Sequence, residues 1–159
     1  MRVIAIDPGY DRLGIAVLDK KNNKEVLVYS ECFETSSKDD FNSRLYQLGQ
    51  RVYSVIQEYK PNYMAIETLF FARNTKTALK VSESRGVVIF QASLFGIPIC
   101  EYTPNQIKLA VAGYGSATKS ELYTMTSRLI DLGDKKMIDD EVDAIAVALT
   151  FFAIHRAYA

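Results

Sequence analysis

The sequence predicts an α/β protein built on a five-stranded mixed sheet with helices on both faces. Short apolar stretches such as "VIAI" (3–6) run into an acid or a turn, as buried strands do. The first three stretches follow one another through short turns, the mark of antiparallel pairing. Later stretches are separated by segments of helical period, the mark of parallel strands joined by crossovers. At 159 residues the chain has the length of one domain, so residues 1–159 are expected to fold as a unit.

Val3–Asp7 is the first strand, stopped by Pro8 and Gly9. Leu13–Asp19 alternates as a second strand, and "KKNNK" (20–24) turns the chain into a third over Glu25–Phe33. "SSKDD" offers helix caps, after which Phe41, Leu45, Leu48, Val52, Val55, Ile56 and Tyr59 keep a helical period up to Pro61. Tyr63–Glu67 ("YMAIE") is a fourth strand, again ending on an acid. A long helix covers Thr75 to Leu94, and "IPICEY" (97–102) is the fifth strand. Thr103 and Pro104 open the next helix as cap and first position. Ser116–Leu132 and Glu141–Arg156 complete the set. This order of elements resembles that of the ribonuclease H-like folds.

Composition is that of a soluble globular protein, 48% hydrophobic and 24% charged. The longest apolar run, Ala144–Ile154, is broken by Thr150 and falls short of the roughly 20 residues that span a bilayer, so it reads as a buried helix. No charged and apolar leader precedes the first strand, and a cytoplasmic protein without a membrane partner is expected. Cys32 and Cys100 lack metal-ligand spacing and read as small buried hydrophobes. His155, the lone histidine, has no partner motif and is expected at the surface or an interface, which sets aside Ser/His/Asp and Cys/His chemistry. Net charge is zero, but residues 41–130 carry 10 Lys/Arg against 5 Asp/Glu, while both ends are acidic. If cations cancel some of the terminal acids, a basic face is left for a nucleic acid.

The acids themselves are the chemical signal. Alone, Asp7 before Pro-Gly could be a turn-former. Glu67 ends a second strand, and in an open α/β sheet ligands bind outside the carboxyl ends of the strands. Asp140 and Asp143, in "IDDEVDAIAVAL", are three apart at the start of an apolar helix and so share one face. Capping accounts for one or two acids there, not for Asp143 a turn further in. Four converging carboxylates are hard oxygen ligands suited to Mg²⁺ or Mn²⁺. Two such ions would clamp a phosphodiester for hydrolysis.

At these residues the chain resembles the RuvC-type Holliday junction resolvases over nearly its whole length. "IAIDPG" with "GIAV", "YMAIETLFFARNTKTALKVSESRGV", "EYTPNQIKLAVAGYGSATKSEL" and "DDEVDAIAVAL" are similar to the family's opening, central, DNA-facing and closing blocks. The resemblance implies a metal-dependent endonuclease that cuts four-way DNA junctions symmetrically as a homodimer, leaving 5′-phosphate and 3′-hydroxyl ends, often alongside the RuvA–RuvB branch-migration proteins. It places the family's catalytic acids on Asp7, Glu67, Asp140 and Asp143. Asp139 is an extra neighbour, so Asp140 is chosen on its spacing to Asp143. "DRLG" (11–14) is closer to the related YqgF opening.

"LFFARNTK" (69–76) follows Glu67 and mixes Phe70 and Phe71 with Arg73, Asn74 and Lys76, a composition suited to stacking on unpaired bases and to phosphate contact. The resemblance assigns Phe70 to the junction centre. Lys80 and Arg85 lie on the following helix and read as solvated charges or as further contacts. "GYGSATKS" (113–120) has Thr118 where a nucleotide-binding loop needs Gly, and reads instead as a glycine hinge carrying Lys119 to a DNA phosphate. By resemblance, Lys108 and Lys119 serve DNA binding or catalysis. The rival readings are another ribonuclease H-like nuclease, YqgF-like or cutting RNA–DNA hybrids, and a junction-binding protein without catalysis. A sugar kinase-like fold fails on length.

Overall fold

The computed structural model describes residues 1–69, 75–133 and 137–155, without the side chains of Thr75 and Lys76. Its elements run β1 (Arg2–Asp7), β2 (Arg12–Lys21), β3 (Lys24–Glu34), α1 (Phe41–Tyr59), β4 (Tyr63–Glu67), α2 (Thr75–Leu94), β5 (Ile99–Tyr102), α3 (Pro104–Ala112), α4 (Lys119–Leu129) and α5 (Asp139–His155). The sheet order is β3-β2-β1-β4-β5, with β1–β2 and β2–β3 antiparallel and β1–β4 and β4–β5 parallel. The expected mixed sheet stands.

Alternation along the strands divides the core in two. Ile4, Ile6, Leu13, Ile15, Met64 and Ile66 pack under α1 and α2. Val3, Ala5, Ala16, Leu18 and Ala65 pack under α3, α4 and α5. On that second face Ala5 lies opposite both Ala16 and Ala65, a row of small side chains across three central strands. Ala144, Ala146 and Ala148 are fully buried on α5. Small residues on both sides let this helix lie close to the sheet. No described helix is long and apolar enough to cross a membrane.

Several boundaries differ from expectation, for local reasons. The hairpin after β2 turns on Asn22 and Asn23 alone, both with positive φ, so the flanking strands extend further than the "KKNNK" composition implied. β5 begins at Ile99, not residue 97. The helix expected from Ser116 starts at Lys119, because Thr118 caps it in a reciprocal box with Glu121, and it ends at Leu129. Gly113, at φ 87°, closes α3, and an added Cβ on Gly115 would meet Asn105 Oδ1 at 2.1 Å. The glycine segment thus runs from the Gly113 cap of α3 to the Thr118 cap of α4, with Gly115 against the Asn105 side chain. The last helix starts at Asp139, two residues earlier than expected, and Arg156 lies outside the described residues.

Candidate active site

Period two places positions 3, 5 and 7 of β1, and 63, 65 and 67 of β4, on the α5 face. Ile6 is paired with Ile66 in parallel register, so Asp7 and Glu67 leave adjacent strand ends toward the same space. α5 brings Asp140 and Asp143 to them over Gly14, the partner of Asp7 across β1–β2. A Cβ on Gly14 would lie 2.1 Å from the Asp140 carbonyl oxygen and 3.1 Å from the Asp7 Cβ. Only glycine admits the helix this near. The helix start is held by Glu141, which is 1% exposed and accepts from the Ile138 N–H at 3.0 Å and from Ser30 Oγ at 3.3 Å.

The carboxylates act on one another. Burial, then Glu67, Asp143 and Asp140, push Asp7 up to about 8, with Lys119 opposing. Burial and Asp143 push Glu67 up to about 7, against Lys119 and Lys108. Asp143 is also raised, chiefly by burial, although Lys119 holds it down. Lys119 Nζ lies 3.0 Å from Asp143 and 3.7 Å from Asp139. Burial alone would lower this ammonium, but Asp143, Asp139 and Asp140 keep it above its ordinary value. Glu67, Lys108, Lys119 and Asp143 line one crevice, and Glu67 and Pro104 also border a second hollow lined by Asp7 and Pro8.

The donor set fits a hard divalent cation: oxygen ligands only, crowded and mutually repelling. Among the described residues no three His, Cys, Asp or Glu side chains yet stand close enough to share one ion, and the Lys119 ammonium is the cation lying against Asp143.

The structure thus brings together all four acids singled out in the sequence, with Lys108 and Lys119. Lys119, still 61% exposed, reaches the acid cluster through Asp143 and Asp139. Asp139 is 67% exposed and Asp140 24%. Phe70, Phe71, Arg73 and Asn74 lie outside the described residues, as does the Lys76 side chain. Two participants were not expected. Arg12 reaches Asp140 at 3.7 Å and Glu34 at 3.3 Å. Arg85 donates to the Glu67 carbonyl oxygen at 3.2 Å. Neither carries a local signal, since each depends on strands brought together from afar. Cys32 and Cys100 are half-buried, not buried, and burial followed by Asp140 pushes the Cys32 thiol up to about 11. His155 is half-buried at the end of α5, with its ring stacked on Phe151 at 4.1 Å. The basic surplus is partly used internally, with Arg44 on Asp11, Arg51 on Glu31 and Arg85 on Glu101.

Comparison with known proteins gives the family. Residues 3–151 match the family model "Crossover junction endodeoxyribonuclease RuvC". The relative of that name from Desulfitobacterium hafniense is 40% identical over 149 residues, covering 94% of this chain and 90% of its own. The one from Petrotoga mobilis is 39% identical over 158 residues, covering 99% and 97%. Thermus thermophilus RuvC in complex with Holliday junction substrate superposes with a TM-score of 0.92 at 33% identity, covering 99% of this chain and 96% of that one. The yeast mitochondrial Holliday junction resolvase Ydc2, 13% identical with a TM-score of 0.70, shares the fold. On the family match, the full-length similarity and the shared fold, the chain belongs to the RuvC family of crossover junction endodeoxyribonucleases.

Proposed function

We propose that this chain resolves four-way DNA junctions by paired, symmetric, metal-dependent cuts that leave 5′-phosphate and 3′-hydroxyl ends. In this reading residues 1–159 form one nuclease domain, acting as a homodimer in the cytoplasm, with RuvA–RuvB-type proteins as partners. The observation that carries the reading is the gathering of Asp7, Glu67, Asp140 and Asp143 from two strand ends and a helix beside Lys108 and Lys119.

The four acids would hold Mg²⁺ or Mn²⁺, two ions per site, which when bound supply Lewis-acid and water-activating chemistry for phosphodiester hydrolysis. The chain's own groups shape the rest. Gly14 and the alanine row keep α5 against the sheet, so that Asp140 and Asp143 face Asp7 and Glu67. Lys119 and Lys108 offset the repulsion between these acids and an arriving phosphate. Residues 69–76 follow Glu67 after Thr68, and we assign Phe70 and Phe71 to stacking on bases at the junction centre, with Arg73, Asn74 and Lys76 on the backbone.

The test is a cleavage assay on a mobile four-way junction, a linear duplex and an RNA–DNA hybrid, each with Mg²⁺ and with EDTA. Junction cutting with Mg²⁺ alone is expected. Preferential cutting of the hybrid would move the chain to ribonuclease H-type chemistry, and tight junction binding without cutting would make it a binding protein.

A further inference from the structure

Glu67 sits where the β1–β4 ladder stops. The Met64 N–H donates toward β5, to Pro98 O at 2.9 Å, and the Thr68 N–H likewise to Tyr102 O at 2.8 Å. Backbone groups alternate sides along a strand, so the peptide groups of Glu67 face β1 instead. With Ile6 opposite Ile66, the ladder directs the Glu67 carbonyl to the N–H of position 8. Position 8 is proline and has no N–H. Pro8 follows the last residue of β1 and borders the site, and it leaves this carbonyl without its ladder donor. Arg85 of α2 supplies the donor: its Nε–H bonds the Glu67 carbonyl oxygen at 3.2 Å. Its Nη2 is held by the Glu101 carboxylate on β5, and the arginine side chain is only 18% exposed.

We propose that Arg85 is a positioning residue for the cutting reaction: it stands in for the N–H that Pro8 lacks, fixes the Glu67 peptide, and so aims the Glu67 carboxylate at the space shared with Asp7. The inference rests on reading Glu67 as a metal ligand. A planar guanidinium suits the task, since one nitrogen can take the carbonyl while another is anchored by Glu101. Side chains that orient a metal's ligands in this way are worth about 10–100-fold in metal affinity or activity.

The experiment compares wild type, Arg85→Gln, Arg85→Lys and the double variant Arg85→Gln/Pro8→Ala, whose alanine restores an N–H at position 8. Ca²⁺ affinity is read by calorimetry, junction affinity in cation-free buffer, and single-turnover cutting with Mg²⁺. Arg85→Gln should lose about 10–100-fold in both Ca²⁺ affinity and cutting rate with junction affinity unchanged. Arg85→Lys should lose less than Arg85→Gln, because its ammonium keeps a charged donor for the carbonyl, although it lacks the fork that holds Glu101 at the same time. The double variant should recover part of the Ca²⁺ affinity, which a general loss of packing would not allow. Should Arg85→Gln fail to fold, Arg85→Lys carries the test. Wild-type Ca²⁺ affinity in both arginine variants overturns the proposal, as does a loss confined to junction affinity, which would make Arg85 a DNA contact. A wild-type chain that binds no Ca²⁺ would instead sink the four-carboxylate reading itself.

Discussion

Asp139 and Asp140 are neighbours in sequence with different surroundings. Asp139 projects into solvent with Lys119 3.7 Å away, whereas Asp140 is mostly covered and lies 3.7 Å from Arg12. An exposed ion pair contributes about 0–1 kcal/mol, so Asp139→Asn should cut nearly as wild type. Asp140→Asn should slow single-turnover cutting by about a thousandfold, equivalent to roughly 4 kcal/mol of transition-state stabilisation, while junction binding survives. The reverse order of severity would show that the acid chosen by its spacing to Asp143 is the wrong one. Lys119 belongs at this scale too. Lys119→Ala should slow cutting and lower the slope of log junction affinity against log salt by about one unit. An unchanged slope would mean that the ammonium stays on Asp143 when DNA binds.

Helix α5 delivers two of the four acids, and its approach to the sheet depends on a missing side chain. A Cβ on Gly14 would meet the backbone oxygen of Asp140 at 2.1 Å, and backbone cannot rotate aside as a side-chain tip can. Gly14→Ala should therefore push the start of α5 outward, cost about 1–3 kcal/mol of stability, and reduce cutting more than junction binding. A wild-type melting temperature and rate would refute this account of the seat. The acids of this element were legible in the sequence, because strand period, a strand-end acid and three-residue spacing are all local patterns. The seat was not. "LGIA" reads as an ordinary strand stretch until Asp140, far along the chain, is laid over Gly14. The same holds for Arg12 and Arg85, whose partners come from other elements. The Thr118–Glu121 capping box is present in the sequence as "TKSE", and it sets the helix start at Lys119 rather than Ser116. That boundary makes Lys119 the first residue of a capped helix, set against Asp143.

At the scale of the whole molecule, a chain of zero net charge concentrates its electrostatic stress in one crevice. Asp7 and Glu67 titrate near 8 and 7 in the folded protein, against 3.8 and 4.5 as ordinary side chains, and Asp143 is raised as well. Between about pH 4 and pH 8 the folded state therefore binds more protons at this site than the unfolded chain does. Stability from these groups is complete below their unfolded values and is lost as pH rises through the folded ones, with a slope of up to about 1.4 kcal/mol per pH unit for each extra proton held. Asp19 and Glu121 are shifted the other way, Asp19 by its hydrogen bonds to Arg2 and Glu121 by the Thr118 cap, but they lose their contribution only in acid, outside this window. In cation-free buffer the melting temperature should thus fall from pH 5 to pH 8.5. A divalent cation that binds the folded carboxylates and not the unfolded chain stabilises by mass action, and most strongly at the alkaline end where the carboxylates are ionised. Ca²⁺ should accordingly flatten the curve. Asp7→Asn removes the most strongly shifted acid of the site, so this variant should melt with a shallower pH dependence and a smaller response to Ca²⁺. Thermal scans of both proteins across that range, with EDTA and with Ca²⁺, decide the matter. If the wild-type melting temperature is flat without cation, or if Ca²⁺ raises both proteins equally at every pH, the four acids are not the electrostatically strained, cation-seeking cluster described above.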